Sequence, residues 1–415
     1  MKKIVIPLTI FVFGFTANAR VIHAAVCDSL SKPQDVLDCA LINHPDVKLA
    51  EASLDQGRVL DLIARQRVNP ELDSKALFGK SSDENYSSAE LNLAHIFELG
   101  NKRGLRVEQA TAEQKRLEAN LAREKERVYI ETYLTLTRLR QIESELETLQ
   151  EALDTYTRIE KQYKSRPRLS PDQQVFLHIF SMTEAAIDLK TTLLQSEADA
   201  KQNDIQLATG REFIPTSTNL PPPKTDWPEL KQSLPEHVLG GSLLRTAEAD
   251  LDLAKKQLAV ARGQSHPDLK VGPSVEVKSQ KSANESALGA NLGLSLPFYQ
   301  RNQGGIAYAN QGQVRAEFAL DAARRISFVQ RDLYLKRYER AVMSLMKLSS
   351  DGDTEKKHQE TKRLFDRGLI SVSLLIESQR QRQEFVTIKN EQELNAIEAL
   401  ARVRALDNRL FEEPL

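Results

Sequence analysis

In four short stretches of this chain apolar and polar residues alternate with a period of two. From Glu71 to about Lys80 and from Tyr86 to Phe97 the alternation places Ala89, Leu91, Leu93 and Phe97 on one side and Glu90, Asn92 and Ala94 on the other. That is the pattern of β-strands with one apolar face. The polar run Ser81-Ser82-Asp83-Glu84-Asn85 reads as the turn between them. A second pair follows far downstream. Leu269, Val271, Val275 and Val277 alternate first; Leu288, Ala290, Leu292, Leu294, Leu296 and Phe298 then alternate with Gly289, Asn291, Gly293 and Ser295. Their turn is Ser282-Ala283-Asn284-Glu285. Each strand is about as long as the ~9–11 residues a tilted strand needs to cross a bilayer. Four strands cannot close a barrel alone, because the smallest membrane barrels have about 8. Open edges in lipid leave backbone groups unpaired at several kcal/mol each. Strands in lipid therefore require further subunits. A small soluble sheet capping a helical bundle is the other solution to the same pattern.

The intervening segments follow the helical period. Residues 33–68 read as helical, and Pro70 ends that stretch. After Gly100-Asn101-Lys102-Arg103-Gly104 a run of about 60 residues reaches Arg166 without Gly or Pro, some 90 Å of helix. Within it Leu139, Ile142, Leu146, Leu149, Leu153 and Tyr156 step by three and four, as in a coiled-coil seam. Pro167 and Pro171 bracket a break at Arg168-Leu169-Ser170, and helix resumes to about Leu207, with Gly210 as its stop.

This order of elements occurs twice. Ala50-Glu51-Ala52-x-Leu54-Asp55 recurs as Ala247-Glu248-Ala249-x-Leu251-Asp252, Ala64-Arg65 as Ala261-Arg262, and Pro70-x-Leu72 as Pro267-x-Leu269. Phe97, Asn101, Gly104 and Ser170 recur as Phe298, Asn302, Gly305 and Ser371, all at an offset of 201. The long helix has kept its length in both copies, as expected of a helix whose ends reach fixed planes. The organisation expected is a signal segment at 1–19, with cleavage at 25 as the alternative, then a first repeat at 26–218. It holds a helix, a β-hairpin at about 71–97, a long helix at about 100–166 and a helix at about 171–209. A linker at 219–235 contains Pro221-Pro222-Pro223. The second repeat, 236–415, holds a helix, a hairpin at about 268–298, a long helix at about 304–367 and a helix at about 371–411.

Composition narrows the class. Lys and Arg number 57 against 58 Asp and Glu, so nothing points to nucleic acid. Lys2-Lys3, the apolar run Ile4 to Phe15 and Ala17-Asn18-Ala19 form the three regions of a secretory signal, with His23-Ala24-Ala25 as a second cleavage site. The run is shorter than the ~20 residues of a spanning helix. In an exported chain the two cysteines, Cys27 and Cys39, favour a disulfide. Free thiols and lipid attachment at Cys27 are the alternatives, and Val26 is a poor residue before a lipidated cysteine. The seven histidines are scattered, with no i, i+4 pair. There is no phosphate loop and no nucleophile elbow. No enzyme, metal site or cofactor is expected.

The residues that place the chain in a family are His44-Pro45-Asp46-Val47, Ala64-Arg65 with Pro70-x-Leu72, Leu296-Pro297-Phe298 running into Arg301-Asn302-Gln303-Gly304, and Phe365-x-x-Gly368-Leu369-Ile370-Ser371. In this order and at repeat spacing, the mature chain resembles the TolC-like outer-membrane efflux proteins. Glu98-Leu99-Gly100-Asn101-Lys102-Arg103 and Arg301-Asn302-Gln303-Gly304 look most like the heavy-metal branch, in which the first copy more often reads Gly-Gly-Lys-Arg. The resemblance implies a mainly α fold with membrane β: long antiparallel coiled-coil helices forming an α-barrel, and four strands per chain in a β-barrel shared by a homotrimer in outer-membrane lipid. It implies a passive exit duct for small solutes or metal cations, working with a periplasmic adaptor and an inner-membrane transporter, for which the RND type is the candidate. The helical tips that dock the adaptor are Arg168, Leu169 and Ser170, and Arg367, Gly368, Leu369, Ile370 and Ser371. By position Glu377 matches an acid that gates the tunnel in the family, while Leu374 stands where a second acid is expected. Three converging copies of Glu377 would repel and have raised pKa values. A secreted or periplasmic coiled-coil scaffold or adhesin, and a duct for type I polypeptide secretion, are the rival readings.

Overall fold

A computed structural model describes Cys27, residues 30–80, 85–230, 240–280, 284–350 and 354–413, and Leu415. The signal segment lies outside the described residues, as do parts of both hairpin turns and of the linker. Eight helices and four strands follow one another among the described residues. They are α1 (Pro33–Asn43), α2 (Pro45–Arg65), β1 (Glu71–Lys80), β2 (Asn85–Glu98), α3 (Lys102–Lys164), α4 (Pro171–Thr209), α5 (Ser242–Gly263), β3 (Asp268–Gln280), β4 (Asn284–Leu294), α6 (Gln303–Ser350), α7 (Thr354–Asp366) and α8 (Val372–Leu406). α3 runs for 63 residues, about 95 Å at 1.5 Å per residue.

Three readings differ from the structure. The long helix expected at about 304–367 is described as two helices, α6 and α7, and residues 351–353 between them lie outside the described residues. The stretch 33–68 is two helices, because Pro45 holds His44 out of helical geometry, at φ −54 and ψ 132. Strand β4 ends at Leu294, so Leu296 and Phe298 lie beyond it, next to Pro297.

The chain packs as two compact units, one of residues up to His44 with Glu131–Pro223, the other of Pro45–Ile130 with Lys224–Leu415. The repeat describes order along the chain, whereas the units describe packing. In the first unit, α1 lies against α4. Val36, Leu136, Leu139, Ile205 and Leu220 form its core, with Phe213 packed alongside. Each large side chain so buried contributes roughly 1.5–3 kcal/mol. Cys27 and Cys39 are joined in a disulfide, Cα to Cα 5.2 Å. The Asn43 amide donates to the Cys27 sulfur at 2.9 Å, which ties Cys27 to the end of α1.

The buried stripe of α3 in this unit is Ile142, Glu145, Leu149, Ala152, Tyr156 and Ile159, stepping by three and four. Leu146 and Leu153, expected in the seam, flank it half-buried. The Tyr156 ring stacks on Phe180 of α4 at 5.7 Å. Glu145 can occupy a seam position because Arg138 lies beside it. The guanidinium donates to the Glu145 carboxylate at 2.8 Å and forks onto Glu197 of α4 at 2.7 and 2.9 Å.

In the second unit, α6 packs on α5 and α8. Leu244 and Ala247 of α5 meet Leu320 and Ala323 of α6. Small buried residues of α8, among them Ala396, Ala399 and Ala401, allow close helix approach. Arg331 forks onto Asp407 at 2.7 and 3.1 Å, in a largely buried ion pair. On α2, a Cβ at Gly57 would come within 2.4 Å of the side-chain tip of Leu117 of α3, so the glycine leaves room for that leucine.

Candidate functional site

The four strands form one antiparallel sheet in the order β1-β2-β3-β4. The hairpins are joined through β2 and β3, with Tyr86 opposite Gln280 and Glu98 opposite Asp268. The register sorts side chains cleanly. One face carries Leu72, Phe78, Ala89, Leu91, Leu93, Phe97, Leu269, Val271, Val275, Val277, Leu288, Leu292 and Leu294. The largest of these lie open in the single chain, with Phe78 85%, Leu288 83% and Leu292 73% exposed. Lys80, at a strand end, is the one lysine on that face, which has no Asp, Glu or Arg among its described strand residues. The other face carries Glu71, Asp73, Glu90, Glu98, Asp268, Glu276 and Glu285 against Lys75, Lys270 and Lys278. Ion pairs hold part of that charge: Lys270 of β3 binds Glu71 of β1, and Lys278 meets Glu276 of its own strand at 3.1 Å. Glu90 stands directly opposite Glu276. Among the described residues, β1 and β4 each have a strand neighbour on one side. The sheet thus presents an apolar face, an acidic face and two free edges.

The seam between hairpins depends on one glycine. The β2–β3 register passes from Asn92 opposite Ser274 to His95 opposite Val271, skipping the stretch at Gly272-Pro273. Pro273 has no N–H to give to a ladder. A Cβ at Gly272 would lie 1.6 Å from the Leu93 carbonyl oxygen and 2.9 Å from the Ala94 Cα. Backbone passes where any other side chain would begin.

Each hairpin enters its long helix through the same device. Asn101 and Asn302 both adopt φ 54, the left-handed region that Asn tolerates best after Gly. Their side chains lie over the first helical turn, where a Cβ at Gly104 or Gly305 would meet the Asn oxygen at 2.4 or 2.3 Å. Asn302 also donates to the Ala261 carbonyl at 2.8 Å. Asn101 thus meets the same backbone demand that a glycine would.

The breaks expected to be tips differ in construction. At the first, Ser170 caps α4: its hydroxyl accepts from the Gln173 N–H at 3.3 Å, and the Gln173 side chain accepts from the Ser170 N–H at 3.1 Å. Arg168 and Leu169 lie in the turn before it, and the Arg166 guanidinium sits 5.2 Å from the Tyr163 ring centre. At the second, Gly368 adopts φ 73 and donates to the Phe365 carbonyl at 2.8 Å, while Leu369 donates to the Leu364 carbonyl at 3.0 Å. That pair of bonds is the Schellman stop. Arg367 precedes it; Ile370 and Ser371 lead into α8, with the Ser371 hydroxyl 2.7 Å from that of Ser373. Gly368 has open space around it, so Gly368→Ala will cost about 1–2 kcal/mol through backbone strain alone. Faster proteolysis within 364–371, with the sheet unaffected, is the expected readout.

Glu377 lies on α8, exposed, accepting from Arg380 at 2.8 and 3.0 Å and from Gln381 at 2.9 Å. The guanidinium, then the amide, hold its carboxyl below the usual range within one chain. A raised value was expected for three converging copies, so any mutual repulsion at a shared axis has to overcome this local cation.

No family model matches the chain. Over 273 residues it is 25% identical to the nickel-cobalt-cadmium resistance protein NccC of Alcaligenes xylosoxydans xylosoxydans, a match that spans 63% of this chain and 60% of that protein. The MtrE outer membrane channel of Neisseria gonorrhoeae, in its open state, superposes with a TM-score of 0.68 at 17% identity, over 92% of this chain and 90% of that one. The Campylobacter jejuni CmeC outer membrane channel gives 0.67 at 14% identity, over 99% and 94%. The outer-membrane channel OprN gives 0.68 at 15% identity, over 96% and 98%.

The chain has the fold of the TolC-like outer-membrane channels.

Within the TolC-like fold, three working residues escaped sequence reasoning. Gly272 and Glu145 were not singled out, and Asn101 stands where the resembled branch more often has a second glycine. A glycine followed by proline inside a strand pattern is the signal that marks a ladder defect. Glu145 lies seven residues, two helical turns, from its partner Arg138 on α3, a spacing that a reading of i, i+4 pairs passes over.

Proposed function

We propose that this chain is the outer-membrane channel subunit of a tripartite efflux system, a passive duct carrying small solutes or metal cations from periplasm to exterior. The observation that carries this reading is the sheet: an exposed apolar face, an acidic face and two free edges on four strands. An apolar face in lipid, a charged face on water and closure by further copies satisfy all three at once. Three chains supply twelve strands. The helices then lie in the periplasm, and the turns at 165–170 and 367–371 meet a periplasmic adaptor that connects to an inner-membrane transporter. The acidic excess on the polar face favours cations over anions. The metal-resistance name of the relative supports a metal cargo.

Fractionation tests the reading. The protein is expected in the outer membrane as a detergent-dependent, heat-sensitive oligomer that forms cation-selective pores in planar bilayers. Recovery as a soluble periplasmic monomer would refute it in favour of a coiled-coil scaffold. For the gate, Glu377→Ala is expected to raise single-channel conductance and weaken cation preference. Unchanged conductance and selectivity would remove Glu377 from the gate.

A further inference from the structure

The turn between α3 and α4 is strongly cationic. From Lys161 to Leu169 the chain reads Lys-Gln-Tyr-Lys-Ser-Arg-Pro-Arg-Leu, with no acid between Glu160 and Asp172. Lys161, Lys164, Arg166 and Arg168 are all exposed. Lys164 is paired with Glu160 at 2.8 Å. Lys161 and Lys164 complement the negative end of the helix dipole, a role that needs no partner. Arg166 and Arg168 lie past that end, where helix stability does not ask for them. Arg166 is also held in place. Arg166 rests over the Tyr163 ring, and that ring packs 6.4 Å from Phe180 of α4. Pro167 fixes the backbone between the two arginines, and the Ser170–Gln173 cap fixes the exit. Ordered arginines lose little side-chain freedom on meeting a carboxylate. The other turn is less cationic: over the equivalent stretch Lys362 to Ile370, Lys362, Arg363 and Arg367 stand against Asp366, and past the helix end only Arg367 remains.

We propose that the turn between α3 and α4 is an electrostatic docking surface for an acidic segment of a partner protein, with Arg166 and Arg168 as its principal contacts. The proposal rests on the reading of this turn as a docking tip and specifies the partner's chemistry. Opposite charge across such a contact speeds encounter and excludes basic partners.

The test is photo-crosslinking in intact cells. Gln162→p-benzoylphenylalanine places the probe on an exposed position within the patch. The expected adduct is a partner peptide with an excess of Asp and Glu. Its yield should fall about tenfold or more in the Arg166→Glu/Arg168→Glu variant and persist in Arg166→Lys/Arg168→Lys. A heat-sensitive oligomer of unchanged mobility reports that the variants assemble. A neutral or basic crosslinked peptide, or a yield indifferent to charge reversal, overturns the proposal and leaves tip docking standing. Adducts to lipid alone, or none, overturn both.

Discussion

Gly272→Ala is expected to disrupt the strand platform, at a cost above about 4 kcal/mol, which is exceptional for the addition of one methyl group. The new Cβ would sit 1.6 Å from the Leu93 carbonyl oxygen, and that neighbour is backbone. Side chains rotate away from such a contact; a central strand cannot without releasing the pairs from Tyr86–Gln280 to Glu98–Asp268. Gly293→Ala is the matched control on the same face, since its Cβ would meet only Lys270 side-chain carbons, at 3.4 Å or more. That change should stay within about 0.5 kcal/mol. Detergent-solubilised protein unfolded by heat, with far-ultraviolet dichroism as the probe, separates the two. Equal behaviour of both variants would mean that the β2–β3 seam has more slack than the backbone geometry allows.

The second large effect lies in the helices. Arg138→Met takes the guanidinium away from Glu145, whose side chain is only 4% exposed. Removing one partner of a buried ion pair costs roughly 3–5 kcal/mol, because the remaining charge stays desolvated. Arg138→Met/Glu145→Leu should recover most of that loss, since an apolar seam needs no cation. Denaturant midpoints measured by helical dichroism give the cycle; a double variant no better than Arg138→Met would show that packing, not charge, sets the cost. The same fork sets a pH dependence. Arg138 holds the Glu197 carboxyl below its usual range. A depressed folded-state pKa contributes stability in full above the ordinary glutamate value of about 4.3, and the contribution is lost as pH falls through the lower folded value. The wild-type chain should therefore lose stability on acidification below that point more steeply than the Arg138→Met chain.

How much of this was legible depends on whether the cause is local. The strands were readable because a period of two is written in consecutive residues, and the apolar face follows from the same count. The first long helix was readable from the absence of Gly and Pro between Leu105 and Arg166. The break at His44 was also on the page, since Pro45 restricts the residue before it. The coiled-coil stripe was only half readable. Ile142, Leu149 and Tyr156 were identified, but choosing leucines between them selected Leu146 and Leu153 over the buried Glu145 and Ala152. An acid becomes a core residue only when a cation meets it, here Arg138 two turns away on the same helix, and hydrophobicity along the chain does not carry that pairing. Gly272 failed for the same kind of reason: the atoms that forbid a side chain there belong to a strand 179 positions away in sequence, at Leu93.

The pairing of β2 with β3 has a consequence for how the chain reaches its final state. Each hairpin closes over a short turn, but Tyr86 and Gln280 are 194 positions apart. Loop-closure entropy grows with the logarithm of that separation, and contacts of such long range slow folding. The hairpins are therefore expected to form early and to wait, their inner edges open, until the chain between them has been ordered. During that interval the molecule presents four unpaired strand edges, twice the number left once the seam has closed. It is in this interval that the chain is most exposed to pairing with the wrong copy of itself.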